Sequence, residues 1–316
     1  MTNILAGSLD ENTFFSGNPP TCDPTLAGRF LCDAIGKRLT SSLGYTLLYD
    51  DRDNRIRPTR GQSFGVSQDF AGLGGSVKYI KTRINADKYW KPFGNFVFGL
   101  SFESGYIHPL ENRGLAGIDD VRLTDRFYLG EPQMRGFDIR GVGPRVQRIF
   151  QEGKIVNGVA VNNPITDRNQ IQDDAIGGRF YYMGRAELQI PLGSGAKELG
   201  LRPSLFVDVG SVFDVTRPVL QSVQQREVLA DGTQGGLLYY FVDSAGALQT
   251  STAAVNGDGS ARVAAFRFKE EFLGDTWKPR MSVGFGVNWN SPFGPFRIDL
   301  ARVLLKQPGD DTKSFT

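Results

Sequence analysis

The stretch MRGF carries the side chain best suited to a specific polar contact. Arg135 stands beside Gly136 and Phe137, between glycine-rich flanks, in a long region without hydrophobic periodicity. A planar guanidinium suits a carboxylate better than an ammonium group does, because it donates two parallel hydrogen bonds. Gly136 permits backbone conformations that other residues resist, and Phe137 is a poor choice for a solvent-facing tip. The sequence therefore predicts a loop that folds back with Arg135 directed at acidic residues, although a surface arginine would need no partner.

Two carboxylates later in the chain are the candidate partners of Arg135. Glu187 and Asp208 each lie mid-strand on the more polar face of two successive predicted strands. A carboxylate ringed by glycine and serine is costly unless it is solvated or paired. The pair would contribute around 1 kcal/mol in a wet interior, and removing one partner in a dry interior would cost about 3–5 kcal/mol. The alternative is that both carboxylates only keep a polar interior hydrated.

Residue types for catalysis or metal binding are scarce. His108 is the single histidine, so triads and histidine-based metal sites have little material. The acidic pairs Asp119–Asp120, Asp173–Asp174 and Asp310–Asp311 lack the spacing of calcium ligands, and we interpret them as solvated loop charge. The stretch GSGAKELG (193–200) only resembles a phosphate loop and is interpreted as a turn. We expect no enzymatic activity, no cofactor and no metal.

Cys22 and Cys32 lie ten positions apart in a segment rich in Pro, Gly and Asp. This is not the spacing of a zinc site. A disulfide that closes a small loop outside the reducing cytosol is one interpretation, and a pair of free thiols is the other.

Strands of about ten residues have to position these side chains. Apolar and polar residues alternate with a period of two, which indicates half-buried β-strands. In VKYIKTRINADKY, Ile80, Ile84 and Ala86 share one face, and charged or amide side chains fill the other. About eight segments show the pattern: SSLGYTLLYDD, GQSFGVSQDF, VKYIKTRINADKY, FVFGLSFESGYI, RFYYMGRAELQIP, PSLFVDVGSVF, RMSVGFGVNWN and FRIDLARV.

Composition and loop lengths favour a membrane barrel. A net charge of +2 gives no broad basic field for nucleic acid, and 39 glycines with 23 phenylalanines suit an all-β protein. Compact turns alternate with two stretches, roughly 108–177 and 214–279, that are too long for ordinary loops of a soluble domain. Short turns at one end and long loops at the other are typical of an outer-membrane barrel. A soluble β-sandwich would show the same alternation along its strands.

Five ordered motifs resemble the BamA family of outer-membrane protein assembly factors, which includes the Sam and Toc translocation barrels and the two-partner secretion transporters. YDDRDNRIRPTRGQSFGVSQDFAGLGG (49–75) is similar to a family hairpin with an Asp-Asn turn before PTRG. FYLGEPQMRGFDIRGVGPR (127–145) is similar to the loop-six motif V/I-R-G-F/Y, with Met134 in place of the aliphatic residue. DDAIGGRFYYMGRAELQIP, LFVDVGSVFD and MSVGFGVNWNSPFGPFRIDLA are similar to the strands that follow. The resemblance covers roughly residues 40–316.

The resemblance implies an all-β fold, an antiparallel transmembrane β-barrel that is incomplete: about eight strands and long extracellular loops of a sixteen-stranded barrel. It implies an extracellular lead-in at 1–39, where a Cys22–Cys32 disulfide would fit. A partial C-terminal barrel domain would follow at 40–316, with its long loops facing outward and its compact turns facing the periplasm.

The resemblance also assigns roles to the polar residues. Arg135, Gly136 and Phe137 correspond to the loop-six latch, and Glu187 and Asp208 to its partners on the lumen wall. Family members carry POTRA domains, about seven preceding strands and a last strand ending in an aromatic residue, and we expect these to be missing here. The chain is therefore interpreted as a barrel fragment whose open edges are not viable alone in lipid.

The function implied is assembly and insertion of β-barrel proteins into the outer membrane of a Gram-negative bacterium, without chemistry. The expected partners are the outer-membrane bilayer, unfolded outer-membrane protein clients, accessory assembly lipoproteins, and the missing POTRA domains and barrel strands. No nucleic acid partner is expected. The alternative is a transport pore, either of the two-partner secretion type or a passive outer-membrane channel.

Overall fold

The computed structural model describes residues 2–4, 15–16, 21–22, 32–33, 35–192, 200–230, 233–291 and 294–315. This part of the chain forms 22 β-strands and the short 3-10 helix Arg168–Gln170, and Cys32 and Asp33 are also helical. In chain order the strands are β1 (Thr2–Ile4), β2 (Phe15–Ser16), β3 (Thr21–Cys22), β4 (Gly36–Arg38), β5 (Ser42–Asp50), β6 (Gly61–Ala71), β7 (Tyr79–Trp90), β8 (Val97–Pro109), β9 (Arg145–Val156), β10 (Val159–Pro164), β11 (Gln172–Ala175), β12 (Phe180–Gln189), β13 (Leu201–Phe213), β14 (Ser222–Gln224), β15 (Arg226–Val228), β16 (Gln234–Leu237), β17 (Tyr239–Val242), β18 (Leu248–Ser251), β19 (Val263–Ala264), β20 (Phe266–Leu273), β21 (Arg280–Ser291) and β22 (Gly294–Leu305). Within the described ranges, no helix is long and apolar enough to cross a membrane.

The main sheet has eight antiparallel strands in the order β22-β21-β13-β12-β8-β7-β6-β5. Each of the eight segments with period-two alternation lies on one of these strands. The two end strands, β5 and β22, do not pair with each other in the described part of the chain. The prediction of an incomplete antiparallel barrel of about eight strands is confirmed.

The faces of the main sheet are inverted relative to a soluble sandwich. Large apolar side chains are exposed on one face, and seven of them are 41–55% exposed: Phe64, Leu100, Phe102, Leu205, Phe285, Ile298 and Leu300. On the opposite face, which we call the polar face, Ser204, Asp208 and Ser282 are buried. An exposed apolar surface of this kind marks a face that is covered by a membrane or by another protein. Lipid outside and polar groups inside are the distribution of a transmembrane β-barrel.

The two ends of the main sheet differ in their connections. At the compact-turn end the links are 51–60, 91–96, 190–200 and 292–293, and at the long-loop end they are 72–78, 110–179 and 214–279. The two predicted long loops contain ten further strands, β9–β11 and β14–β20. Most of these strands are only two to four residues long, too short to show an alternating pattern in the sequence.

The chain divides into two compact units. The first comprises 1–145, 175–218 and 273–316, and contains the main sheet; the second comprises 146–174 and 219–272. The second unit contains the sheet β10-β9-β20-β14, a three-stranded sheet β18-β17-β19 and the pair β15-β16. Its small core is formed by Ala160, Tyr240 and Ala265.

In the first unit, the core lies where the chain from 110 to 145 returns onto the polar face. Leu129, Met134 and Phe137 of this stretch pack with Ile107 and Val212 of the sheet. All five side chains are at most 2% exposed. Apolar packing therefore holds the first long connection against the polar face of the main sheet, which we call the wall.

The predicted lead-in at 1–39 is described only in part. β1 pairs with β4, and β2 pairs with β3. The structure joins Cys22 and Cys32 in a disulfide, with their Cα atoms 5.5 Å apart. Of the stretch interpreted as a turn at 193–200, residues 193–199 lie outside the described residues.

Candidate functional site: the MRGF loop and its wall

The MRGF loop (residues 127–145) is shaped by its own backbone hydrogen bonds. The amide of Met134 donates to the carbonyl of Gly130 at 2.8 Å, and the amide of Val142 donates to the carbonyl of Leu129 at 3.1 Å. Met134 and Phe137 are fully buried on either side of the arginine. These two apolar anchors fix the backbone from which Arg135 projects.

Gly136 is required both for backbone conformation and for space. Its φ is +87°, in the left-handed region that favours glycine. A Cβ there would lie 3.1 Å from Cβ of Ser282, 3.2 Å from Cβ of Ala301 and 3.2 Å from Cγ2 of Val303. The loop backbone therefore lies directly against β21 and β22.

Arg135 makes a bidentate ion pair with Asp208. Its Nε donates to Oδ2 and its Nη2 donates to Oδ1, both at 2.8 Å, and the backbone amide of Arg135 also donates to Oδ2 at 3.2 Å. The guanidinium lies 3.3 Å from the centroid of the Phe206 ring. Arg135 is 2% exposed and Asp208 is 0% exposed, so the pair is shielded from water.

Glu187 is a second, more distant partner of the same guanidinium. Nη1 of Arg135 lies 3.4 Å from Oε2 of Glu187 and 3.6 Å from Oδ1 of Asp299. The structure thus brings Arg135 together with both carboxylates that the sequence proposed, with the stronger hydrogen bonds going to Asp208.

Strand register extends this contact into a six-residue charge network. Arg185 of β12 is opposite Asp208 of β13, and its Nε donates to Oδ1 of that carboxylate at 2.9 Å. Arg297 donates to Asp299 at 2.7 Å and lies 3.4 Å from Glu187. The charge network therefore contains three arginines and three carboxylates, Arg135, Arg185, Arg297, Glu187, Asp208 and Asp299, and is formally neutral. Neutrality matters because a buried charge without a partner is strongly destabilising.

Alternation within RFYYMGRAELQIP and FRIDLARV puts Arg185, Arg297 and Asp299 on the polar face, but it does not connect them to Arg135. The missing information was the register between strands, because period-two alternation gives the face and not the neighbour. Ser282, opposite Asp208 on β21, was missed in the same way, and its hydroxyl donates to the carbonyl of Arg135 at 2.5 Å.

A second buried ion pair lies at the long-loop end. Arg280 and Asp310 are joined at 3.0 Å between Nε and Oδ2, and the side chains of both are completely buried. Arg280 also donates to Oγ of Ser211 at 2.8 Å and to the carbonyls of Thr276 and Gly274 at 2.9 and 2.8 Å. The interpretation of Asp310 as solvated loop charge is wrong, because its carboxylate is buried against Arg280.

The pair anchors residues 306–315, which we call the return segment. The amide of Asp311 donates to the carbonyl of Gly141 at 2.8 Å, and the amide of Lys313 donates to the carbonyl of Gly136 at 3.0 Å. The amide of Ala301 on β22 donates to the carbonyl of Ser314 at 2.9 Å. The MRGF loop is therefore held by the wall and by the return segment.

The remaining sequence candidates lie outside this contact. Asp119 is 1% exposed and accepts hydrogen bonds from the amides of Val121 and Thr216, so its interpretation as solvated charge is also wrong. His108 lies in β8, with its ring 6.3 Å from that of Tyr106. In the described ranges, no group of three or more His, Cys, Asp or Glu side chains is placed to hold a metal ion.

Burial shifts titratable groups where the chain approaches the MRGF loop. Burial raises the pKa of the Asp125 carboxyl, and it also raises the pKa of the Tyr128 hydroxyl. The backbone carbonyl of Asp125 accepts a hydrogen bond from Nζ of Lys81 at 2.8 Å. This part of the connection is packed against the wall rather than solvated.

Comparisons with known proteins place this geometry in a family. The family model described as the Omp85 superfamily domain matches residues 8–316. The chain is 27% identical over 284 residues to the outer membrane protein assembly factor BamA of Neorickettsia risticii, covering 89% of this chain and 27% of that protein. It is 28% identical over 186 residues to the sorting and assembly machinery component 50 homolog of Homo sapiens, covering 57% of this chain and 33% of that protein.

A solved structure gives the same fold. BamA from Haemophilus ducreyi lacking POTRA domains 1–3 superimposes with a TM-score of 0.53 at 19% identity, over 87% of this chain and 41% of that chain. The chain spans less than half the length of each of these three proteins.

Proposed function

The chain belongs to the Omp85 superfamily, and from that membership we propose that it is the barrel part of a factor that assembles and inserts β-barrel proteins into the bacterial outer membrane. Two of its relatives are an outer membrane protein assembly factor and a sorting and assembly machinery component. Client strands add to an open strand edge of the complete barrel by β-augmentation. In this proposal the MRGF loop and its partners on the wall stabilise the barrel and take no part in covalent chemistry.

The observation that carries the proposal is the buried Arg135 in its neutral charge network. Arg135 of the MRGF loop donates two hydrogen bonds of 2.8 Å to Asp208 in the middle of the wall. The loop therefore covers the polar face instead of leaving it open. This arrangement favours a barrel that works at its strand edges over a passive channel that needs a clear lumen. Arg135, Gly136 and Phe137 act as the latch, and Glu187 and Asp208 act as its receptor.

The proposed partners follow from this function. They are the outer-membrane bilayer against the apolar face, unfolded outer-membrane protein clients, accessory assembly lipoproteins, and the POTRA domains and further barrel strands of the complete protein. The proposed location is the outer membrane of a Gram-negative bacterium, with the long-loop end outside the cell and the compact-turn end in the periplasm.

The test is Arg135→Ala in the full-length protein. Removing the guanidinium leaves Asp208 buried with only Arg185 beside it, a loss of about 3–5 kcal/mol. We expect slower assembly of client barrels and faster proteolysis within residues 127–145. Arg217→Ala is the matched control, because Arg217 is exposed and has no ion-pair partner in the described part of the chain.

Normal client assembly together with unchanged proteolysis of the loop would refute the latch. Loss of export of one dedicated substrate, with client assembly intact, would instead establish the two-partner secretion alternative.

A further inference from the structure

A cavity of about 800 Å³ lies on the polar face between the compact-turn end and the charge network. It is lined by the turn 51–60 and by strands β7, β8, β12, β13, β21 and β22. This size is in the range of sites that bind small molecules and short peptide segments. Its lining includes four arginines, Arg57, Arg185, Arg202 and Arg297, and one carboxylate, Glu187.

Two of these arginines are already neutralised. Arg185 is paired with Asp208 at 2.9 Å, and Arg297 is paired with Asp299 at 2.7 Å. Arg57 and Arg202 form no ion pair and no side-chain hydrogen bond within the residues that the structure describes. Two uncompensated positive charges therefore line the same cavity.

The turn that carries Arg57 is rigidly built. Oδ1 of Asn54 accepts hydrogen bonds from the amides of Ile56 and Arg57, both at 2.9 Å. The carboxylate of Asp53 accepts from the amide of Thr59 at 2.8 Å and from its hydroxyl at 2.6 Å. Such preorganisation lowers the ordering cost of binding.

The lining near these charges is rich in hydrogen-bond donors. Register places Asn288 of β21 between Arg202 of β13 and Arg297 of β22. A guanidinium donates five N–H groups and accepts none, and its fork matches a carboxylate or a phosphate. The chemistry of the cavity therefore selects an anionic acceptor.

The position of the cavity and its apolar lining decide between possible anions. It opens on the polar face, away from the apolar surface that meets lipid, so a bilayer headgroup is not its neighbour. Ile56, Pro58 and Tyr89 add apolar surface to the lining, which a bare inorganic anion would not use.

We propose that this cavity binds an acidic segment of polypeptide, with its carboxylates on Arg57 and Arg202. The inference rests on the proposed function for the nature of the occupant, a client chain, and it names a recognition site that the latch does not provide. Arg57 and Arg202 are specificity residues for negatively charged segments.

The test measures binding directly, with the full-length protein in lipid nanodiscs. The probes are a fluorescent peptide carrying four glutamates and its counterpart with four glutamines. We expect the glutamate peptide to bind, and Arg57→Gln or Arg202→Gln to weaken its binding about tenfold, the size of a lost charge-assisted hydrogen bond. Binding should weaken as salt increases, and Arg57→Lys should restore part of it.

Arg217→Gln is the control for charge alone and should bind as the wild type does. Each variant is checked by thermal unfolding and by client assembly, so that a folding defect is distinguished from a lost site. Equal binding of both peptides, unchanged binding by both variants, or binding of inorganic phosphate without binding of the glutamate peptide would each overturn the proposal. If client assembly depends on Arg135 while no acidic peptide binds, this inference falls and the proposed function stands.

Discussion

At the scale of single residues, the site depends on how closely the loop approaches the wall. Arg135 can reach Asp208 with two parallel hydrogen bonds because Gly136 lies within a few ångströms of Ser282, Ala301 and Val303. A larger residue at 136 would push the guanidinium away from the carboxylate. The small residue is therefore part of the ion-pair geometry.

Gly136→Ala tests this dependence against a matched glycine. Gly114 also has positive φ, +62°, but a Cβ there would meet nothing within 4 Å. Left-handed backbone costs a non-glycine residue about 1–3 kcal/mol at either position. We expect Gly136→Ala to reduce the melting temperature and expose residues 127–145 to protease clearly more than Gly114→Ala does. If Gly136→Ala and Gly114→Ala have equal effects, the positive φ alone, and not the close contact with the wall, requires glycine at position 136.

At the scale of elements, the return segment and the turn 51–60 are each held by a carboxylate. Asp310 fixes the return segment through buried Arg280. Asp53 fixes the turn by accepting hydrogen bonds from Thr59 and Arg60 in solvent. Because Asp310 and Arg280 are buried, the position of the return segment depends strongly on that ion pair. Because Asp53 is exposed to solvent, the structure of the turn 51–60 depends on pH.

Asp310→Asn should destabilise the first unit by about 3–5 kcal/mol, because it leaves the guanidinium of Arg280 buried without a countercharge. Replacing both residues, Arg280→Met with Asp310→Leu, should recover much of that loss, since neither charge is then buried alone. Denaturant unfolding of the wild type, Asp310→Asn and the double variant measures the loss and the recovery. A double variant as unstable as Asp310→Asn would show that shape, not charge, holds the segment.

The turn 51–60 should lose its structure in acid. The Thr59 hydroxyl and the amides of Thr59 and Arg60 lower the pKa of Asp53 from 3.8 to about 2. Because the folded pKa is depressed, its stabilising contribution is present above about pH 4 and is lost as the pH falls through about 2. Hydrogen exchange of the peptide covering the turn, corrected for intrinsic rates, should rise over that window. Asp53→Asn should abolish this pH dependence, and its persistence would assign the effect to another group.

At the scale of the whole molecule, the inverted distribution of polarity is the dominant feature. Leu205 of β13 and Val219 of the second unit are both 49% exposed. In lipid, an arginine on the apolar face near the bilayer midplane costs about 2–4 kcal/mol, whereas a surface substitution in water changes stability by about 0.5 kcal/mol or less. We therefore expect Leu205→Arg, but not Val219→Arg, to destabilise the protein in bilayers. If Leu205→Arg and Val219→Arg both change stability by similarly small amounts, both positions contact water.

The sequence predicts the main sheet well because each long strand repeats its two-residue pattern about four to six times. It places Asp208 and Glu187 on the polar face and marks Arg135 as an arginine in need of a partner. It does not give the register that brings Arg185 and Ser282 to Asp208, because alternation does not say which residues of neighbouring strands face each other. The short strands of the second unit, such as β19 with two residues, carry no periodicity to detect.

Because the charge network is neutral, moving the MRGF loop away from the wall changes the net charge of the residues that stay behind. When Arg135 leaves, two arginines remain on the wall with three carboxylates, Glu187, Asp208 and Asp299. The vacated wall is then one positive charge short. Any process that draws the loop out must therefore hydrate these carboxylates or deliver a proton, a metal cation or a basic side chain of another polypeptide in its place.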